Sequence, residues 1–144
     1  MLRIAYTSQA TFDFTDGDLI TLLMNSRANN KRDRLTGILL HSEGQFLQVL
    51  EGEEDDVKAK YDRISKDPRH RGISMILREE ADSRQFGKWT MGYTSLTDPM
   101  IRAIPGYDTF FDRDPAVSEA PVRRLLEAFR TDPALTPAIE GAGL

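Results

Sequence analysis

An α+β fold of the ferredoxin-like kind is predicted for this 144-residue chain. The order is β-α-β-β-α-β-β, with two helices on one face of a mixed sheet and a C-terminal helical extension. Three observations predict it. Residues 2–8 and 35–51 carry short apolar runs of strand character. Two intervening stretches carry apolar residues at helical spacing. Gly, Asn and Pro punctuate the joins.

The first strand is "LRIAYTS", with Leu2, Ile4, Tyr6 and Ser8 on one face and Arg3, Ala5 and Thr7 on the other. The first helix opens at Thr15, with Asp18 three residues on in place of the usual Glu or Gln of a capping box. Leu19, Leu22, Leu23 and Ser26 give it an apolar side, and Asn29-Asn30 is read as its terminator. Strands over about 35–41 and 45–51 follow, joined by a tight turn at Ser42–Gly44.

The second helix has an acidic first turn, Glu53 to Asp56, which suits the positive end of a helix dipole. Val57, Tyr61 and Ile64 form its stripe, and Pro68 stops it. "ISMILREE" is the fourth strand. "WTMGYTS" is the fifth, with Trp89, Met91 and Tyr93 on one face. The pattern places this unit at residues 1–96. Residues 97–144 form an extension holding a short amphipathic helix, its apolar side Val122, Leu125, Leu126 and Phe129.

Composition narrows the function. Net charge is −4, which disfavours a nucleic-acid surface and a polybasic membrane anchor. No apolar run approaches the roughly 20 residues of a spanning helix. Cysteine is absent, which excludes thiolate chemistry and fits a reducing cytoplasm. No metal site is expected. The two histidines, His41 and His70, lie on separate elements. The Glu53–Asp56 run reads as a helix start, and Asp13, Asp16 and Asp18 lack the remaining ligands of a calcium loop.

One residue stands out in "GQFLQVLEG". Gln48 interrupts a strand of large apolar side chains, and a buried amide needs partners. If strands 1 and 3 are neighbours, Tyr6 and Gln48 meet beneath the helices. A Tyr–Gln hydrogen bond that merely satisfies both groups remains open at this point.

Beyond this pattern, the chain resembles the BLUF domains, blue-light sensors using FAD, of the short stand-alone type. The likeness rests on Tyr6 in "IAYTS", Asn30 in "NNKRDRLTGILL", Gln48 in "FLQVLEG", and Trp89 with Met91 in "FGKWTMGY". It runs from about residue 2 to 96. It implies a flavin held between the two helices, FAD as a rule, with FMN or riboflavin able to occupy the same site. Asn30 would bind the pyrimidine edge, with Asn29 and Ser26 lining the end of helix 1. Arg63 and Ile64 would flank the ring, with Asp67 and His70 near its ribityl side. Tyr6 would pass an electron to the excited flavin, with a proton moving through Gln48. The amide would keep an altered hydrogen-bond arrangement, by rotation or tautomerism. Trp89 or Met91 would relay the change towards the helix around Pro121–Arg130.

The implied protein is not an enzyme. It would signal to a separate effector or through a homo-oligomer, and bind neither nucleic acid nor membrane. Two alternatives stand beside it. One is an acylphosphatase-like hydrolase, for which Asn30 and Arg32 are present without a phosphate-cradling loop. The other is a cofactor-free interaction module.

Overall fold

The computed structural model describes residues 1–42, 44–86, 90–95 and 115–131; the side chains of residues 42, 92–95, 115–118 and 129–131 are outside this description. The elements run β1 (Leu2–Ala10), α1 (Asp16–Asp33), β2 (Thr36–Ser42), β3 (Gln45–Gly52), α2 (Glu54–Ser65), β4 (His70–Glu80), β5 (Gly92–Ser95) and α3 (Pro115–Thr131). The five strands are ordered β4-β1-β3-β2-β5. All neighbours are antiparallel except β2 and β5, which are parallel. The predicted ferredoxin-like α+β class is what forms.

Local chemistry explains the joins. Thr15 and Asp18 complete the capping box of α1, each side chain taking the other's backbone N–H. Between β2 and β3, Gly44 takes φ +77°, a region that favours glycine. Gly37 serves close approach instead: a Cβ there would lie 1.9 Å from the Val49 carbonyl oxygen.

Two sequence expectations are corrected. Asn29-Asn30 does not end α1. The helix runs on to Asp33 and closes on Arg34 in the left-handed conformation, φ 59° and ψ 38°, whose N–H returns to the Asn30 and Lys31 carbonyls. Asn30 is fully buried and its side chain is committed to a tertiary contact, so it is not free to cap locally. The fifth strand is shorter than expected and begins at Gly92. Met91 precedes it, Trp89 lies outside the described residues, and so do the side chains of Tyr93 and Phe129.

The sheet buries both faces. One face carries Leu2, Ile4, Tyr6, Leu39, Phe46 and Leu50 against Leu19 and Leu23 of α1 and Val57 of α2. The other carries Ala5, Ile38, Leu40, Leu47, Val49 and Leu77 against Val122, Leu125 and Leu126 of α3. The extension's helix therefore packs as part of the core. Gln85 also donates from its side-chain amide to the Leu126 carbonyl, and Arg123 pairs with Glu79 at 2.9 Å.

A buried carboxylate ties the back of the sheet together. Glu51, at the end of β3, has no exposed surface. It accepts from Arg3 Nε (3.3 Å), the Thr36 hydroxyl (3.0 Å) and the backbone N–H groups of Gln85 (2.9 Å) and Phe86 (2.5 Å). Arg3 also reaches Glu79 at 3.1 Å, so the chain of charges continues to Arg123 of α3.

Candidate functional site

The site grows out of the register of the three central strands. Tyr6 of β1 pairs with Gln48 of β3, which pairs with Leu39 of β2. Residues directly opposite on one face have neighbouring side chains. The phenol and the amide expected to meet therefore do. The Tyr6 hydroxyl donates to Gln48 Oε1, and both residues are buried. The other half of the amide is engaged too: Gln48 Nε2 donates to Met91 Sδ at 3.5 Å. Met91 has no exposed surface. The row Tyr6–Gln48–Met91 is thus continuous, and the thioether faces the Gln48 amide.

Burial pushes the Tyr6 phenol far above its usual range, with Tyr61 and Asp67 adding to the rise. It stays protonated and remains a donor. Tyr61 meets the Tyr6 ring edge-on at 5.6 Å.

Tyr6 and Gln48 form part of the wall of a cleft between α1 and α2. The cleft encloses about 840 Å³ of space free of protein atoms, its open mouth included. Ser26 and Asn29 of α1 line it, as do Arg63 and Ile64 of α2 and Asp67 and His70 beyond. Asp67 is held below the usual carboxylate range by its hydrogen bonds from Arg69. A ring nitrogen of His70 lies 2.6 Å from the Ile64 carbonyl.

Asn30 is placed differently from its neighbour Asn29. It is absent from the cleft lining and donates from Nδ2 to the Thr90 carbonyl at 2.7 Å. Its Oδ1 is buried without a partner, as is Ser8 Oγ, which does line the cleft. The orphaned Ser8 hydroxyl on the cleft wall fits a ligand that hydrogen-bonds there.

Several residues escaped sequence reasoning. Arg27 is buried on α1, four residues after Leu23 and three before Asn30, and donates to the Met91 carbonyl at 2.9 Å. Arg27 and Asn30 therefore grip consecutive carbonyls of the segment that carries Met91. Lys60 lines the cleft from α2 at 8% exposure. Their spacing on the helical stripes was visible in sequence; the charge led the eye to solvent. Phe14 also lines the cleft, meeting Phe46 edge-on at 5.3 Å. His41 sits against Phe46 at 4.7 Å, and burial lowers its pKa.

Comparison with known proteins gives this geometry its context. Residues 1–92 match the family model described as BLUF, sensors of blue-light using FAD. The chain is 35% identical over 106 residues to the photoactivated adenylate cyclase subunit beta of Euglena gracilis, covering 73% of this chain and 12% of that one. It is 46% identical over 79 residues to the blue light- and temperature-regulated antirepressor BluF of Escherichia coli (strain K12), covering 52% of this chain and 20% of that one. The chain thus spans between a tenth and a fifth of the length of these curated relatives. Among solved structures, the dark state of BlrB, a BLUF protein, superposes with a TM-score of 0.74 at 26% identity, over 88% of this chain and 96% of that one. Neither the hydrolase nor the cofactor-free module is favoured. With the sheet, the phenol–amide pair and the cleft beside them, these matches make the chain a member of the BLUF family, the blue-light sensors that use FAD.

Proposed function

We propose that the cleft holds the isoalloxazine ring of FAD between α1 and α2, and that this chain's output is a rearranged hydrogen-bond network with no chemical turnover. FMN or riboflavin fits the same ring site. The observation that carries the reading is the buried row Tyr6–Gln48–Met91, whose first two members line the cleft. When bound, the flavin supplies a light-activated one-electron oxidant.

The residues divide the work. Tyr6 is the electron donor, and its buried hydroxyl has one acceptor, Gln48 Oε1. Gln48 carries the proton between phenol and ring and keeps the altered arrangement. An amide has two distinct ends, so rotation or tautomerism exchanges what it offers Tyr6, Met91 and the ligand. Met91 feels the change through the Gln48 Nε2 contact. Trp89 is the second relay candidate. Ser26, Asn29 and Asn30 hold the ring from α1, and Arg63 and Ile64 from α2. Asp67 and His70 serve the ribityl side. Asn30 would turn its unpartnered Oδ1 towards a ring N–H donor.

Residues 1–96 serve as the sensor, and residues 97–144 carry the signal outward, to a separate effector or through self-association. Among the described residues no helix is long and apolar enough to cross a membrane. With no cysteine in the chain, a cytoplasmic setting fits.

The test is an absorption spectrum before and after blue illumination. Flavin bands that move slightly to longer wavelength and return in the dark are expected. A colourless protein that takes up no added flavin would overturn the proposal. A second expectation concerns Tyr6→Phe. That variant keeps its flavin, fluoresces several-fold more brightly and loses the red shift, because the quenching donor is gone. Time-resolved fluorescence checks it, and an unmutated excited-state lifetime would remove Tyr6 as donor.

A further inference from the structure

Met91 reaches Gln48 from a place the sheet does not fix. The β2–β5 ladder begins at Gly92, opposite Ile38, so Thr90 and Met91 lie just outside it. The Gln48 contact is too weak to hold Met91 by itself. A thioether is a weak acceptor on a flexible side chain, and Nε2 stands 3.5 Å from it. Yet Met91 has no exposed surface and the contact forms. Another group must place the residue.

The hold is on the backbone. Arg27 donates from Nε to the Met91 carbonyl at 2.9 Å, and Asn30 donates from Nδ2 to the Thr90 carbonyl at 2.7 Å. The two lie three residues apart on α1, hence on one side of it. The helix divides its positions between two tasks. Ser26 and Asn29 line the cleft, whereas Arg27 and Asn30 are absent from its lining and meet the segment that carries Met91. The two grips are unequal. A guanidinium keeps its charge when buried, and a charge-assisted hydrogen bond is about twice as strong as a neutral one. Arg27 is 2% exposed and follows Leu23, which packs α1 onto the sheet, so its anchor is firm. Asn30 would also serve the ligand in the flavin reading, which leaves Arg27 as the hold on Met91 that the ligand does not share.

We infer that Arg27 is a positioning residue: by tying the Met91 carbonyl to α1, it keeps Met91 Sδ within reach of the Gln48 amide. The contact belongs to the chain itself, and its use in light sensing rests on the function proposed above. Arg27 thus acts on Gln48 through Met91.

The test is run on the full chain in the dark, loaded with whatever flavin it takes up. The readout is the nuclear Overhauser effect between the Gln48 side-chain N–H protons and the Met91 methyl group. Arg27→Met removes the donor and keeps an unbranched stem. Arg27→Gln places a neutral nitrogen donor the same number of bonds from the backbone as the arginine Nε. The effect should be lost in Arg27→Met and kept, at reduced strength, in Arg27→Gln. The methyl resonance of Met75, which lies on β4 opposite Tyr6, should stay in place in both. Survival of the effect at full size in Arg27→Met would overturn the inference. Equal loss in both variants would overturn it too, since the donor would then not be what holds Met91. So would a Met75 methyl that moves as far as that of Met91, because general loosening would explain the loss.

A second comparison separates positioning from stability. In a Met91→Ala background, adding Arg27→Met should leave the Gln48 amide resonances unmoved, since nothing remains to position. Equal movement in both backgrounds would count against the inference decisively. Should Arg27→Met fail to fold, the unmutated chain still decides. A scalar coupling across the hydrogen bond from Arg27 Nε to the Met91 carbonyl carbon is expected, and its absence overturns the inference. A chain that takes up no flavin sinks the function reading alone, because the Overhauser effect is read without it.

Discussion

Replacing Gln48 with leucine is expected to abolish the light-induced red shift while the flavin stays bound. Leucine fills nearly the same volume, so Phe46, Leu50 and the cleft wall keep their packing. What disappears is chemical. The Tyr6 hydroxyl loses its acceptor and Met91 Sδ loses its donor. In the proposed photoswitch, no group would then remain between phenol and ring to carry a proton and hold a second arrangement. Stability should fall modestly, by about 1–3 kcal/mol, because a buried hydroxyl is left unpartnered. Difference spectroscopy under blue light checks the main effect. A shift of unmutated size would show that the switch lies elsewhere.

The second large effect is expected at Glu51, on the opposite face of the same strand. Glu51→Leu should destabilise the fold by about 3–5 kcal/mol, the range for breaking a buried ion pair by removing one partner. The Arg3 guanidinium would lose a partner. So would the Thr36 hydroxyl and the N–H groups of Gln85 and Phe86. Those last two belong to the connection between β4 and β5, which also holds Met91. Urea unfolding followed by circular dichroism measures the loss. A change under about 1 kcal/mol would mean that Glu51 is dispensable and the network around it cosmetic.

Much of the fold was legible because its signals are local. Alternation in β1, the Thr15–Asp18 cap and the acidic start of α2 each act within a few residues. The Tyr6–Gln48 meeting was legible because strand order fixes it once the ferredoxin-like pattern is recognised. The place of α3 was harder. The stripe Val122, Leu125, Leu126 announces an apolar face but not its partner. The hint was in β3, where Phe46, Leu47, Val49 and Leu50 are apolar on both sides, as in a strand covered twice. Met91 against Trp89 was illegible, since two residues of equal parity cannot be separated by period alone. Asn30 misled for a physical reason: an amide that caps helices in short range also serves tertiary contacts, and here it holds the Thr90 carbonyl. Lys60 was hidden by its charge, although its position on α2 follows the stripe of Val57 and Ile64.

The place of β3 at the centre of the sheet has a mechanical consequence. Its backbone is bonded on both edges, to β1 along its whole length and to β2 from Gln45 to Glu51. Sliding by one residue would turn every core side chain to the wrong face and break both ladders at once. The softest coordinates left at Gln48 are its own side-chain torsions. Under the proposed switch, light would be stored as a change of one amide within a stiff frame. Such a change needs no strand to slide or unfold, in either direction.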